Sequence, residues 1–199
     1  MAKRRVDVAV VVPDASPILT LARIGRLDLL LTFAVPIRIV DQVHYEVTRQ
    51  ENDPRGEIAD FLHRNGNRIE IVETLVGLGF KTQRERGLKM RSKDLGEQAV
   101  DEYAVRLRRS GKATFIPLVL FEDPDVLELR IADMAGIYLL NTAAWLFGLY
   151  QAGVLPEGLE LIDKVNQHRA TPMELIDREA RTKKVHAAWR RRIKRADPS

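Results

Sequence analysis

Apolar and polar positions along the chain fall into blocks that change period. VDVAVVV (6–12) is a nearly unbroken β-branched run, which predicts a strand buried on both faces. From Pro17 to about Phe33 apolar residues recur at helical spacing, interrupted at Gly25. PIRIV (36–40) predicts a second strand, and DQVHYEVTRQ (41–50) a short helix. Asn52-Asp53-Pro54 predicts a turn and a helix start, with Asp53 as the cap and Pro54 in the first helical position. That helix runs to about Arg64 and stops at Asn65-Gly66. RIEIV (68–72) alternates like a strand, whereas residues 74–93 have no clear periodicity and predict a basic loop. DLGEQAVDEYAVRLRRSG (94–111) predicts a helix, TFIPLVLF (114–121) a buried strand and PDVLELRIADMAG (124–136) a helix. IYLL (137–140) follows as a short strand and TAAWLFGLYQAG (142–153) as a helix. TPME (171–174) has a capping-box layout and predicts the start of a final helix.

Strands and helices in this alternation predict an α/β fold with a mostly parallel sheet. Ligands of such sheets gather at the carboxyl ends of the strands, where strand order reverses. Acids at strand tips are therefore the candidate chemistry. Asp14 follows the first strand and Asp41 the second, and Glu122, Asp123 and Asp125 follow the strand at 114–121. Glu46 and Glu97 lie on predicted helices. Most have a plain structural explanation. Asp123-Pro124 reads as an N-cap with proline after it, and the spacing of Asp94 and Glu97 is that of a capping box. Asp14 has the weakest such explanation, because Ser16-Pro17 already supplies a cap and a helix start.

Composition narrows the classes. The 199 residues, 45% hydrophobic and 30% charged, suit a soluble globular domain. No apolar run approaches the roughly 20 residues of a membrane span, and VAVVV is shorter than the ~7–15-residue core of a secretory signal. With no cysteine, disulfides, thiolate metal sites and cysteine nucleophiles are excluded, which fits a cytoplasmic location. The net charge of +4 is unevenly placed. KTQRERGLKMRSK (81–93) holds six basic residues against one acid, and RTKKVHAAWRRRIKR (181–195) is stronger still. In the latter, Val185, Trp189 and Ile193 form an apolar stripe at helical spacing, which suits either a docked terminal helix or a contact with a polyanion. The four histidines lack metal-ligand spacing, GLGFKT (77–82) has the wrong spacing for a phosphate-binding loop, and Asp14-Ala15-Ser16 lacks the second acid of an aspartyl-phosphate enzyme.

Four stretches in order resemble the PIN-domain ribonucleases, and in particular their bacterial VapC-like toxin branch. VVVPDASPILTLARIGRLDLL resembles the family's opening strand, first acid (Asp14) and leucine-rich helix. VPIRIVDQVHYEVTRQ (35–50) is similar to the strand and helix that carry the second acid, here Glu46. DLGEQAVDEYAVRL (94–107) resembles the helix that begins Gly-Glu and supplies the third, Glu97. LVLFEDPDVLELRIADMAGIYLLNTAAWL (118–146) resembles the strand with the fourth acid, Asp123, and the elements after it. The fourth motif departs from the family's usual threonine-containing or double-aspartate form, so Glu122 and Asp125 stand as substitutes for Asp123, and Asp101 as a further candidate one turn after Glu97.

The resemblance implies a three-layer α/β/α PIN-like domain over 1–155, with a basic insertion at about 74–93, and a basic helical extension over 156–199. It implies catalytic and metal-holding roles for Asp14, Glu46, Glu97 and Asp123 around Mg2+ or Mn2+, and hydrolysis of RNA. Three or four carboxylates in one place repel one another unless a cation or protons neutralise them, and hard cations prefer oxygen ligands. Ser16, Thr142, Lys81, Arg84, Arg190 and Arg191 are the candidate substrate contacts, with helix capping as the structural alternative for Ser16 and Thr142. An antitoxin protein and a second copy of the chain are the implied protein partners, with no membrane. The other functional class is a PIN-like domain that binds nucleic acid or protein without cleaving.

Overall fold

The computed structural model describes residues 7–88, 94–110, 115–167, 169, 172–181 and 188–193. The valine run forms β1 (Asp7–Pro13), and the parallel strands β2 (Ile37–Val40), β3 (Ile69–Val72), β4 (Phe115–Phe121) and β5 (Tyr138–Asn141) follow the predicted blocks. A short sixth strand, β6 (Asp177–Glu179), runs antiparallel to β5, giving the order β3-β2-β1-β4-β5-β6. Helices flank the sheet in a three-layer α/β/α arrangement, so the central strands read as continuous apolar runs instead of alternating ones. Pro117 lies inside β4, where a proline lacks the ladder N–H. The β1–β4 register slips by one residue there, leaving Ala9 as the extra residue between Val8 and Val10.

The chain builds outward from β1 to β3 and then crosses to β4 on the other side of β1. Strand order therefore reverses between β1 and β4. The Asp14 amide donates to the Leu120 carbonyl (2.8 Å), so pairing with β4 continues up to the acid itself.

The helices are α1 (Ala15–Arg23), α2 (Asp41–Val47), α3 (Glu57–Arg64), α4 (Leu75–Glu85), α5 (Leu95–Ser110), α6 (Thr142–Gln151) and α7 (Gly158–Asn166). Several differ from the sequence expectation. The segment expected as a basic loop contains α4, because Thr74 caps it: its hydroxyl accepts from the Gly77 amide at 2.9 Å. Residues 89–93 of that segment lie outside the described residues. The helix after Asn52-Asp53-Pro54 starts three residues later than expected, at Glu57. Asp53 still serves it from a distance, accepting from the amides of Ile58 (3.1 Å) and Ala59 (2.9 Å). The helix expected at 124–136 is two 3-10 turns, Pro124–Glu128 and Arg130–Asp133, separated by an extended Leu129.

The final helix expected from Thr171 is not formed in residues 172–181. Asn141 prevents it by gripping that segment: its amide NH2 donates to the Glu174 carbonyl, and its Oδ1 accepts from the Ile176 amide (3.3 Å). Held in line with β5, the segment pairs as β6. Asn141 Oδ1 also accepts from the Ala144 amide (2.9 Å), so the cap of α6 is Asn141 and not Thr142. Residues 182–187 and 194–199 lie outside the described residues, and with them Val185 of the apolar stripe. Trp189 of that stripe is fully buried against Phe33 and α6, at the start of a basic 3-10 turn. Among the described residues no helix is long and apolar enough to cross a membrane.

Candidate functional site

Four acids expected to act together do line one pocket at the carboxyl end of the sheet. It has a volume of about 320 Å³, and its walls include Asp14, Glu46, Glu97 and Asp123. Asp14 follows β1 and Asp123 follows β4, the two strands flanking the point where strand order reverses. Helix α2 projects Glu46 into the same space, and the first turn of α5 brings Glu97. Gly96 is what allows that turn to approach: a Cβ there would stand 3.2 Å from Glu46 Oε2 and 3.8 Å from Asp14 Oδ1. Any larger residue would push its side chain between the two carboxylates.

The electrostatics follow from this crowding. Asp14 is 3% exposed, and burial raises its pKa to about 7 against the opposing pull of the Ala15 amide, with Glu97, Glu46 and Asp123 adding to the rise. Burial also raises Glu46, partly offset by Arg49, and raises Glu97, with Asp123 and Asp94 contributing. Asp14 occupies the N-cap position of α1, yet its carboxylate makes no capping bond to the helix. Ser16 was expected to cap; it lies instead inside the first turn, where it lines the pocket. Asp123 does both jobs, accepting from the Asp125 amide (3.0 Å) while facing the pocket. Among the described residues the Glu97 carboxylate accepts no hydrogen bond from the Asp94 amide, so the capping box is not closed. Asp94 adopts a left-handed backbone (φ 64°) and lines the pocket as a fifth carboxylate.

The remaining candidates are placed elsewhere or differently. Asp101 is buried and clamps the second 3-10 turn, accepting from the Arg130 Nε (2.7 Å) and the Ile131 amide (3.1 Å). Glu122 points away from the pocket into a buried cluster, where its Oε2 accepts from the Thr20 hydroxyl (2.9 Å) and pairs with Arg169. Thr142 is fully buried beside Glu122, a position that offers no surface to a substrate. Asp125 is exposed outside the pocket wall, near enough to Glu97 to raise its pKa. Lys81 and Arg84 lie on α4 in a groove that adjoins the pocket. Arg190 and Arg191 are not brought there. Arg191 pairs with Asp7 (3.1 Å) at the amino end of β1, about 23 Å of strand away from Asp14. Arg190 pairs with Asp177 (3.5 Å).

The pocket wall also contains Gln42, Tyr45, Arg49 and Phe80, none of them singled out from sequence. Gln42, Tyr45 and Arg49 were legible in principle: with Glu46 they fall at i, i+3, i+4 and i+7, one face of the helical pattern. Phe80 was not, because its segment showed no period.

The donor set is oxygen only and strongly anionic, which suits a hard divalent cation. Among the described residues no three acids or histidines stand close enough to form a ready-made cage. The smaller of the hard cations needs none, since it keeps several waters and takes only one or two protein carboxylates. Asp14, Glu46, Glu97 and Asp123 are the residues from which it would draw its ligands, and its charge would offset the burial, and the smaller repulsion from the other acids, that raise the Asp14 pKa.

No curated protein and no solved structure matches the chain. A sequence model of the PIN domain matches residues 10–171, spanning all four acids and the elements from the middle of β1 through α7. The chain belongs to the PIN-domain family, a family of generally metal-dependent nucleases.

Proposed function

We propose that this protein is an endoribonuclease that hydrolyses RNA with Mg2+ or Mn2+ held by Asp14, Glu46, Glu97 and Asp123. The observation that carries the reading is the convergence of these four carboxylates at the strand-order reversal, in the wall of one pocket. When bound, the cation supplies a nucleophilic water at neutral pH and neutralises charge on the phosphate. The chain's own part is to keep its ligands in place: β1 and β4 fix Asp14 and Asp123, and Gly96 lets Glu97 come beside Glu46. Ser16, in the first turn of α1, lines the pocket, which supports a role as a donor to a phosphate oxygen. The similarity of the four sequence stretches to VapC-like toxins supports a biological role as the toxin of a toxin–antitoxin pair, with a small antitoxin protein and a second copy of the chain as partners.

The test is purified protein with single-stranded RNA, with and without Mn2+, beside Asp14→Asn. Cleavage is expected only with the parent protein and the cation. Loss of several kcal/mol of charge stabilisation in the variant corresponds to roughly a hundredfold or greater fall in rate. Equal cleavage by both proteins removes the assignment, and metal-independent binding without cleavage assigns the domain to nucleic-acid binding alone.

A further inference from the structure

We propose that Tyr45 and Phe80 form a nucleobase-stacking subsite beside the acid pocket, occupied by an unpaired base next to the scissile phosphate of a single-stranded RNA. The inference rests on the nuclease reading for the position of that phosphate, but the subsite is defined by different residues. The Tyr45 and Phe80 rings lie 5.6 Å apart with their planes inclined by 52°. The guanidinium carbons of Arg49 and Arg84 stand 5.7 and 5.8 Å from the centre of the Tyr45 ring. Both rings belong to the wall of the acid pocket and equally to an adjoining groove of about 270 Å³, which continues to Lys81 and Arg84. The two cavities thus form one track: carboxylates, then aromatic rings, then cations.

Packing alone does not account for this cluster. Tyr45 is 37% exposed, Phe80 is only half-buried, and α4 turns Leu75 and Leu78 to solvent while tucking in little but Gly77. Among the described residues neither Lys81 nor Arg84 pairs with an acid. Asp41 and Glu73 also line the groove, but the Asp41 carboxylate is engaged by the Thr74 hydroxyl (2.7 Å) and amide (3.1 Å) and by the Gln42 amide (2.9 Å). Those bonds also fasten α4 to the end of β2, so the aromatic wall is held in place before any ligand arrives. Aromatic faces beside a cationic groove are how proteins bind single strands without reading a particular base. A duplex has its bases already stacked on one another and cannot supply one.

The experiment uses the full chain in EDTA, so that nothing is cut, and a short single-stranded RNA carrying 2-aminopurine, whose fluorescence is quenched on stacking. Quenching is expected on binding. Tyr45→Leu and Phe80→Leu should abolish it and weaken binding roughly five- to hundredfold. Tyr45→Phe and Phe80→Tyr should restore both, and melting curves show that all four variants are folded. Replacing Lys81 and Arg84 with Gln should weaken binding and shrink the salt dependence by about 0.7 per removed charge, with quenching at saturation intact. Leucine variants that bind and quench like the parent overturn the subsite, as does a duplex of the same sequence that binds as tightly as the single strand. Cleavage with Mn2+ is read separately. Quenching without any cutting keeps the subsite and removes the nuclease reading; cutting by a parent protein that shows no quenching does the reverse.

Discussion

Burial holds the Asp14 carboxyl protonated up to about pH 7, against its ordinary 3.8, and this has a consequence for stability. Between those values the cation-free native state binds a proton that the unfolded chain has released, so stability falls as pH rises. The contribution is complete below about pH 4 and gone once pH passes about 7, on the order of 4 kcal/mol for a shift of some three units. Glu46 and Glu97 shift in the same direction and steepen the fall. A divalent cation replaces the proton, so Mn2+ should raise the melting temperature clearly at pH 8 and little at pH 5. Asp14→Asn should flatten the metal-free pH dependence and remove most of the Mn2+ shift. A melting temperature that follows pH and Mn2+ identically in both proteins would show that Asp14 bears neither burden. The oddity of Asp14 was legible in the sequence for a reason that the structure corrects. Ser16 does not take over the cap; Asp14 stands in the cap position itself and faces the pocket without a capping bond from its carboxylate. A cap and a pocket residue look alike in one dimension, and so do a pocket acid and a buried, paired one such as Asp101 or Glu122.

Among the elements, α4 was the one least visible in sequence and the one that adds most to the groove beside the acid pocket. Periodicity reports a helix through its buried apolar face, and here the buried residue is Gly77 while leucines face out. The strands were legible because continuous β-branched runs have no competing explanation once helices flank them. The two glycines of α4 now make opposite predictions. A Cβ at Gly77 would fall 1.8 Å from Asp41 Oδ2, inside the carboxylate that secures Thr74, whereas a Cβ at Gly79 meets nothing within 4 Å. Gly77→Ala should therefore cost about 1–3 kcal/mol by forced repacking, a fall of several degrees in melting temperature. Gly79→Ala should be neutral or stabilising by up to about 1 kcal/mol through helix propensity. Thermal unfolding of the two side by side checks this. If both variants behave alike, the Asp41–Thr74 contact is not what holds α4 against α2.

At the scale of the whole molecule, the strongly basic C-terminal segment looks from its charge like an arm for polyanions, and its described part is structural. β6 closes the sheet beside β5, Ala180 donates to the Ile137 carbonyl (2.8 Å), and Ile193 bridges to Phe33. Trp189 fills the space over α6 that Gly148 leaves open, since a Cβ on Gly148 would lie 2.5 Å from the indole ring. Its Nε1 donates to Asp177 Oδ1 (3.0 Å), tying the last turn to β6. Arg191 and Arg192 turn to Asp7, at the end of β1 opposite the acids. Charge composition could not distinguish the two roles, because a cation that pairs with a distant aspartate and one that awaits a phosphate are the same letter. Trp189→Ala should cost about 3–5 kcal/mol, as for other fully buried large aromatics. Arg191→Gln removes an exposed pair and should change stability by no more than about 1 kcal/mol. It should also leave the affinity for single-stranded RNA unchanged, in contrast to the Lys81 and Arg84 variants. Deleting residues 178–199 makes the distinction directly, read as a melting temperature in buffer containing no RNA. A domain that needs β6 and Trp189 loses stability on truncation with no nucleic acid present. A truncated chain that melts with the intact protein would mean that the sheet is complete at β5, and would return the segment to the role its charge suggests.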